Sequence, residues 1–283
     1  MREEGLISRA QNTWCPGCGN FAIQHAFKNA ILELGSEGLS LDEVVLVTGI
    51  GCHAKMADYF NLNSVYAIHG RAVPAAAGLK IADPNLKVIC CVGDGDAYAE
   101  GLDHLLFAAK RNMDMTIIVH NNRVYGLTTG QYTPTSPLGF RGKSTPTGTA
   151  EPPFNPIALM LNAGASFVAR GYTRRQDQLR WMIKEAIMHR GLSFIDVLQI
   201  CATFFDPHEV YDRMVYEPEG HDRSSIESAM RLASEWDYNS ESRIPIGLFF
   251  QGERPVFEDR FRGVRPDIPS RENKIGMFLE GRR

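Results

Sequence analysis

Two cysteines stand three residues apart in a glycine- and proline-rich turn near the beginning of the chain. They are Cys15 and Cys18, within the stretch WCPGCGN at residues 14–20. Thiolates at this spacing serve three kinds of chemistry: a redox-active dithiol, half of a zinc site, or two ligands of an iron–sulfur cluster. The turn alone does not choose among them, and the rest of the sequence has to decide.

A second stretch with chemical potential is CVGDGDAYAEG at residues 91–101, where an apolar run stops at glycines and carboxylates. A carboxylate at the end of a parallel strand, followed by the start of a helix, lies where open α/β sheets bind ligands. Backbone N–H groups at such a helix start favour a diphosphate, and Mg²⁺ commonly bridges carboxylate and phosphate oxygens. Asp94 could supply the carboxylate. Taken alone, however, a GDG triplet is more often only a turn with a helix cap.

The asparagine pair Asn121 and Asn122 strengthens the interpretation of a metal site. It is separated from Gly95 by residues 96–120, which are 25 residues. One helix plus one strand of this length brings the chain back to the same edge of a parallel sheet. Asp94 and Asn122 would then stand side by side and could share one metal ion.

The elements around these motifs alternate between strands and helices. Apolar residues at helical spacing predict helices, and short β-branched runs that end at glycine or polar residues predict buried strands. The predicted helices cover 19–34, 71–82, Tyr98 to Ala109 and 175–190, and the predicted strands cover 44–49, 64–70, 87–96, 115–122, 166–171 and 193–201. The alternation predicts an α/β fold, with a mostly parallel sheet and helices on both faces.

Two stretches depart from this alternation. Residues 124–156 form a long segment crowded with Gly, Thr, Ser and Pro, and a segment of this kind in a compact domain is usually functional or mobile. From about Asp206 the strand–helix order is lost, leaving one predicted helix near 222–238 and a tail rich in Pro, Arg and Gly. We therefore expect one domain over 1–205 and a C-terminal extension over 206–283, without internal repeats.

Composition and charge exclude several functional classes. The 283 residues are 44% hydrophobic with a net charge of −3 and no basic block, which gives no reason to expect a nucleic-acid partner. No run of about 18 apolar residues occurs, so no membrane partner is expected. The first residues, MREEGLISRAQNTW, lack the apolar stretch of a secretory signal. Six cysteines then indicate a reducing compartment, and we expect a cytoplasmic location.

The sequence pattern, in which GDG is followed about 25 residues later by NN, resembles the thiamine diphosphate (TPP) motif. In that motif the third protein ligand of Mg²⁺ is a backbone carbonyl two residues beyond the asparagine, which here is Val124. The flanking pieces TGIGCH, HGRAVPAAAGLKIA, NNRVYGLTTGQ and CPGCGN resemble the β subunit of 2-oxoacid:ferredoxin oxidoreductases. The resemblance covers roughly residues 12–205 and implies the TPP-binding fold of the diphosphate-binding (PP) type.

The resemblance also answers the question of the cysteines. In this family four cysteines of the β subunit hold a [4Fe-4S] cluster, and they map onto Cys15, Cys18, Cys52 and Cys201. A thioredoxin-like dithiol would follow a first strand, and no strand precedes Cys15. Four thiolates suit zinc as well as iron, but a cluster beside the TPP loop has an electron-transfer role and a structural zinc has none. The remaining pair, residues 90–91 in an apolar strand, is assigned no function.

The resemblance also implies which residues surround the cofactor. His69 and Thr129 are the predicted catalytic residues, as contacts of the TPP diphosphate or of the substrate, and the magnesium ligands are Asp94, Asn122 and Val124. The predicted cofactor-binding residues are Ile50, Gly51, His69, Gly70, Arg71, Gly93, Asp94, Gly95, Asp96, Asn122, Tyr125, Gly126, Leu127 and Thr128. His53 adjoins a predicted cluster ligand, and its role is open.

The implied activity is the oxidative decarboxylation of a 2-oxo acid, with coenzyme A as cosubstrate and ferredoxin as electron acceptor. The chain most resembles 2-oxoglutarate enzymes, with pyruvate or a broad range of 2-oxo acids as the alternative. A non-redox TPP lyase half and a zinc-stabilised binding module are more distant alternatives.

TPP also needs a carboxylate at its aminopyrimidine ring. Glu100 suits a capping or solvated role better, so the catalytic glutamate is expected from an α subunit in an αβ or (αβ)₂ assembly. The tail from Gly252 to Arg283 would strap that partner or form a loosely ordered terminus.

Overall fold

A computed structural model of the chain describes residues 3–261 and, beyond them, Met277, Glu280 and Gly281. The helices in this part are α1 (Glu3–Leu6), α2 (Asn20–Ser36), α3 (Met56–Tyr59), α4 (Ala72–Ala82), α5 (Leu102–Arg111), α6 (Pro156–Ala163), α7 (Gln176–Met188), α8 (His208–Met214) and α9 (Ile226–Ala233). The strands are β1 (Val44–Thr48), β2 (Asn63–Tyr66), β3 (Lys87–Gly93), β4 (Met115–Asn121), β5 (Val124–Tyr125), β6 (Gln131–Tyr132), β7 (Phe167–Tyr172), β8 (Leu192–Leu198), β9 (Val215–Tyr216), β10 (Ile244–Pro245) and β11 (Gly247–Gln251).

Seven of the strands form the central sheet, in the order β2-β1-β3-β4-β8-β7-β11. Neighbouring strands run parallel except β11, which is antiparallel to β7. The order reverses beside β1, because the chain passes from β1 outward to β2 and then returns to place β3 on the other side of β1. Open α/β sheets bind ligands at the carboxyl ends of their strands at such a reversal. The topology therefore marks the ends of β1 and β3 as the place to look for a site.

Helices cover both faces of the sheet, which confirms the predicted fold class. The cluster on one face joins α4, α5, α6 and α9, and the cluster on the other joins α2, α3 and α7. Because both faces are covered, the inner strands are apolar on both sides rather than alternating. Cys90 belongs to the first cluster and Cys91 to the second, and both are fully buried. They are packed as small hydrophobic residues.

The sequence predictions and the structure differ at a few boundaries. The predicted strand 64–70 ends at Tyr66, so His69 and Gly70 lie in the turn before α4. The helix expected from Tyr98 begins with a π-helical turn over Asp96–Glu100 and becomes α-helical only at Leu102. The long segment after Val124 contains the short antiparallel pair β5 and β6.

The C-terminal part holds more structure than its sequence pattern predicts. The helix expected near 222–238 is α9, but α8 and the edge strand β11 were not predicted. Strand β11 adds an antiparallel edge to the central sheet, and a small aromatic core gathers Tyr211, Trp236 and Tyr238 against β7 and β8. The expected division at residue 205 stays a prediction. Most of the proposed strap, including 262–276, lies outside the described residues.

Within the described ranges, no helix is both long enough and apolar enough to cross a lipid bilayer.

Candidate functional site

A cavity of about 60 Å³ opens at the carboxyl ends of β1, β3 and β4, beside the reversal of strand order. All of the predicted cofactor-binding residues line it except Gly70 and Arg71, and so does the predicted magnesium ligand Val124. Residues that are far apart in the sequence are thus brought to one place, although their roles stay predictions.

Two glycines let the loops of the cavity pack closely. A β-carbon on Gly49 would lie 1.7 Å from Oδ2 of Asp96, and one on Gly95 would lie 2.1 Å from the ring of Tyr125. Neither position can carry a side chain unless its neighbour moves. The glycines after β1 and β3 therefore set the distance between the two loops, and they bring Asp96 and Tyr125 against the backbone.

Asp94, at the end of β3, is buried at the wall of the cavity. Its Oδ2 accepts a hydrogen bond of 2.5 Å from the hydroxyl of Thr133 and lies 3.1 Å from the hydroxyl of Thr135. Burial raises the pKa of Asp94 to about 7, while these hydroxyl contacts lower it. A metal ion bound beside this carboxylate would favour its charged form.

The other two predicted magnesium ligands adjoin Asp94 at the same cavity wall. The side-chain Oδ1 of Asn122 accepts a hydrogen bond of 3.1 Å from the backbone N–H of Val124, which holds this turn in shape. Carboxylate, amide and backbone carbonyl oxygens are the ligands that a hard cation such as Mg²⁺ prefers. The donor set at the cavity therefore fits the predicted ion.

Asp96 lies between two histidines beneath the cavity. Its Oδ1 accepts a hydrogen bond of 2.6 Å from the backbone N–H of Gly70 and lies 3.2 Å from Nδ1 of His69. Its Oδ2 lies 3.4 Å from Nε2 of His53, but neither of these atoms has a well-aligned partner among the described residues. The predicted cofactor residue Asp96 is thus held by the backbone of Gly70, and its carboxylate lies close to both histidine rings.

Glu100 was expected to cap a helix or to be solvated, and the structure gives it a further contact. The hydroxyl of Tyr125 lies 3.1 Å from each of its carboxylate oxygens, and Nδ1 of His69 lies 3.3 Å from Oε2. Its side chain is nearly half exposed. Glu100 therefore sits beside the cavity and holds Tyr125, which does line it.

Two buried residues that line the cavity, His120 and Gln199, were not predicted from the sequence. Nδ1 of His120 lies 2.8 Å from Oδ1 of Asn20, and burial, followed by the nearby His53, lowers the pKa of His120 well below its usual value. His120 directly precedes the asparagine pair, which could have singled it out. Nε2 of His120 and Oε1 of Gln199 are buried without a hydrogen-bond partner in the described part of the chain. Such atoms usually have one, so a polar ligand would satisfy them.

Two predicted residues lie beside the cavity rather than in its wall. Arg71 donates to the backbone carbonyls of Gly70 and Glu100, at 3.1 and 3.0 Å. Thr129 has a φ of +78°, and its hydroxyl accepts a hydrogen bond of 3.1 Å from the ammonium of Lys143. Both residues shape the loops around the site, and the catalytic role of Thr129 stays a prediction.

The four predicted cluster cysteines lie near one another beside the cavity, and Cys52 and Gly126 both form part of its wall. The thiols of Cys201 and Cys52 lie 3.5 and 3.8 Å from the place where a β-carbon of Gly126 would stand. Burial raises the pKa of the Cys18 thiol to about 11, and the neighbouring Cys52, Cys201 and Cys15 add to the rise. A strong positive centre such as a bound metal would favour the thiolate form of Cys18.

Backbone contacts bring the segments of these cysteines together. The indole N–H of Trp14 donates to the carbonyl of Cys52 at 2.6 Å, and the N–H of Gly19 donates to the carbonyl of Ile200 at 3.2 Å. The turn that carries Cys15 and Cys18 is thereby tied both to the loop after β1 and to the segment after β8. In the described part of the chain, no three His, Cys, Asp or Glu side chains are arranged to hold a single metal ion.

Two known families match different parts of the chain. Residues 49–197 match the family described as thiamine pyrophosphate enzyme, C-terminal TPP binding domain. Residues 201–266 match a second family, described as the C-terminal part of the pyruvate ferredoxin oxidoreductase beta subunit. The first match contains every residue that lines the cavity except Gln199, and the second begins at Cys201.

Individual proteins are similar over most of the chain. The 2-oxoacid:ferredoxin oxidoreductase subunit beta of Saccharolobus solfataricus is 45% identical, over 86% of this chain and 82% of the relative. The 2-oxoglutarate synthase subunit KorB of Methanothermobacter thermautotrophicus is 42% identical, over 87% and 85%. A solved 2-oxoglutarate:ferredoxin oxidoreductase from Magnetococcus marinus, with 2-oxoglutarate, coenzyme A and succinyl-CoA bound, superposes with a TM-score of 0.88 at 33% identity, over 94% of this chain and 90% of that one.

Proposed function

The chain belongs to the family of 2-oxoacid:ferredoxin oxidoreductase β subunits, and from this we propose that its substrate is 2-oxoglutarate. With a partner α subunit it would convert 2-oxoglutarate and coenzyme A into succinyl-CoA and CO₂, reversibly. The two electrons released would leave one at a time through a [4Fe-4S] cluster to ferredoxin. The observation that carries this proposal is the position of the cysteines directly beside the cavity, with Cys52 in its wall.

That position gives each part of the site a role. Gly126 borders the cavity, and the thiols of Cys52 and Cys201 lie close to it. A group held by these thiols would be separated from a ligand in the cavity by little more than one backbone segment. A [4Fe-4S] cluster held there supplies one-electron transfer. Four thiolates suit zinc as well as a cluster, and the position beside the cavity favours the cluster because only the cluster has an electron-transfer role there.

The cavity itself fits TPP and Mg²⁺. When bound, TPP supplies the nucleophilic carbon and the electron sink for cleaving the carboxylate from a 2-oxo acid. Asp94, Asn122 and the carbonyl of Val124 would hold the magnesium ion that neutralises the diphosphate. The buried and unpartnered ring nitrogens of His53 and His120 would bind polar groups of the cofactor or substrate and help to exclude water.

The choice of 2-oxoglutarate rests on the relatives. Several similar proteins are named as 2-oxoglutarate enzymes, and the solved relative contains 2-oxoglutarate, coenzyme A and succinyl-CoA. Coenzyme A is proposed as cosubstrate on the same grounds. Pyruvate is the second candidate, because the family matched by residues 201–266 is described by that substrate.

An α subunit is proposed to close the site and supply the catalytic glutamate. Exposed apolar side chains near the cavity are suited to burial by such a partner: Ile50 and Leu127 line the cavity, and Ile68 is 73% exposed. The extension over 206–283 is proposed to contribute to the same interface, and the free thiols favour a reducing, cytoplasmic location.

Replacing Cys18 tests the cluster. The Cys18→Ala variant is expected to lose most of its iron and the ability to reduce ferredoxin, because one of four ligands is gone. The matched Cys90→Ala variant should keep both, since Cys90 is fully buried in the apolar core of β3. Iron and sulfide analysis of anaerobically purified proteins measures the effect. Iron that is retained in Cys18→Ala and lost in Cys90→Ala would refute the assignment.

A further inference from the structure

The segment Thr133–Ser136, within the long loop after β4, packs against the carboxylate of Asp94. Its sequence, TPTS, carries three hydroxyls, and all three side chains are buried. None of these residues is part of the TPP motif, and none was expected at the site. Their contacts with Asp94 give them a role that the motif does not explain.

Both threonine hydroxyls approach the same oxygen of Asp94. The 2.5 Å bond from Thr133 and the 3.1 Å contact from Thr135 both reach Oδ2, and neither involves Oδ1. The Thr135 hydroxyl also lies 2.9 Å from Oδ1 of Asn121, the neighbour of the proposed ligand Asn122. A carboxylate held by one oxygen cannot rotate freely, and its other oxygen remains for a ligand in the cavity.

The segment is itself held by Arg123, which lies between two of the proposed metal ligands. The Arg123 guanidinium is buried, and its Nε donates to the carbonyl of Thr135 at 2.6 Å. In return, the hydroxyl of Ser136 donates to the carbonyl of Arg123 at 2.6 Å, and it also accepts from the N–H of Thr133 at 2.8 Å. The segment therefore spans the turn after β3 and the turn after β4, and it fixes one relative to the other.

We propose that Thr133 and Thr135 are positioning residues for the metal-binding carboxylate: they hold Oδ2 of Asp94 so that Oδ1 meets the cation. The inference rests on the proposed function, because it takes Asp94 as the metal ligand. Groups that orient a metal ligand typically change metal affinity by about 10- to 100-fold when they are replaced. Thr133 and Thr135 should therefore tune metal affinity without taking part in the chemistry.

The test measures Mn²⁺ binding by electron paramagnetic resonance in the full chain, with Mn²⁺ as the probe and TPP present in excess. The double variant Thr133→Val/Thr135→Val keeps the shape of both side chains and removes both hydroxyls. Its dissociation constant for Mn²⁺ is expected to rise by about 10- to 100-fold. The double variant Thr133→Ser/Thr135→Ser keeps the hydroxyls and should bind Mn²⁺ almost as the parent does. In the two-subunit enzyme, the valine variant should need more Mg²⁺ for half-maximal rate, with kcat at saturating Mg²⁺ little changed.

A matched control lies in the same loop. Thr149 is also buried, and its hydroxyl donates to the carbonyl of Pro137 at 3.0 Å without touching Asp94. Thr149→Val should therefore leave Mn²⁺ binding unchanged, and equal losses in Thr149→Val and the double valine variant would refute positioning by Thr133 and Thr135. A double valine variant that binds Mn²⁺ as the parent does would also refute positioning by Thr133 and Thr135. If Asp94→Asn loses Mn²⁺ binding in the same experiment, the proposed metal site would still stand. Parent-like binding in Asp94→Asn would instead refute the metal site of the proposed function.

Discussion

The Asp94→Asn variant is expected to bind TPP at least about a hundredfold more weakly than the parent. Replacing a residue that orients a metal ligand typically lowers metal affinity by about 10- to 100-fold, and replacing the ligand itself should lower it further. Asp94 supplies the only negative charge among the three proposed magnesium ligands. Without it, the charge of the diphosphate is poorly neutralised by the protein-bound cation. Isothermal titration of TPP in the presence of Mg²⁺ measures the change directly.

Folding and the cluster should survive this substitution. Burial raises the pKa of Asp94, so a neutral amide of the same size removes a costly buried charge and should not destabilise the cofactor-free protein. Iron content should also stay unchanged, because Asp94 is not one of the proposed cluster ligands. Asp103→Asn, an exposed position on α5, serves as the matched control. Unaltered TPP binding in Asp94→Asn would show that the GDG turn is structural only.

The isolated chain is expected to show no turnover until a second subunit is added. TPP becomes reactive only when a carboxylate relays a proton through its aminopyrimidine ring. Each carboxylate that lies at the cavity in the described part of the chain already accepts from a protein group: Asp94 from two hydroxyls, Asp96 from the N–H of Gly70, and Glu100 from the hydroxyl of Tyr125. We therefore expect the carboxylate for that task to come from a second subunit.

The assay combines the chain, with its cluster intact, with TPP, Mg²⁺, a 2-oxo acid, coenzyme A and ferredoxin. Turnover should appear only after addition of an α subunit that carries a buried glutamate, and 2-oxoglutarate should be used faster than pyruvate. Full activity from the isolated chain would mean that Glu100 or another of its own carboxylates serves the pyrimidine. Faster use of pyruvate would move the substrate assignment to the second candidate.

Local patterns in the sequence predicted most strands of the central sheet and most of the residues that line the cavity. The apolar runs that end in glycines and polar residues predicted β1, β3 and β4, and parallel strands bring their carboxyl ends to one edge. That single rule places Asp94 and Asn122 at the same cavity from their spacing alone. The edge strand β11 was missed because it pairs antiparallel with β7, after the strand–helix alternation has ended.

The supporting contacts could not be predicted in the same way. Thr133 and Thr135 follow Asp94 by about 40 residues and belong to a loop without a periodic pattern, so nothing local points to the contact. The position of Asp96 between His53 and His69 likewise depends on Gly49, where a side chain would collide with the Asp96 carboxylate. Contacts of this kind are set by the tertiary arrangement, which a single sequence does not display.

The central claim is that one chain places a [4Fe-4S] cluster against the wall of a TPP cavity. Cofactor and metal analysis of the anaerobically purified two-subunit enzyme tests it most directly, by measuring iron, acid-labile sulfide, zinc and TPP per β chain. The proposal predicts equal amounts of iron and acid-labile sulfide, corresponding to at least one [4Fe-4S] cluster per β chain, together with TPP. The Cys18→Ala variant should lose iron. TPP without iron would indicate a non-redox TPP enzyme, and zinc without TPP would indicate a zinc-stabilised binding module; either result would contradict the account.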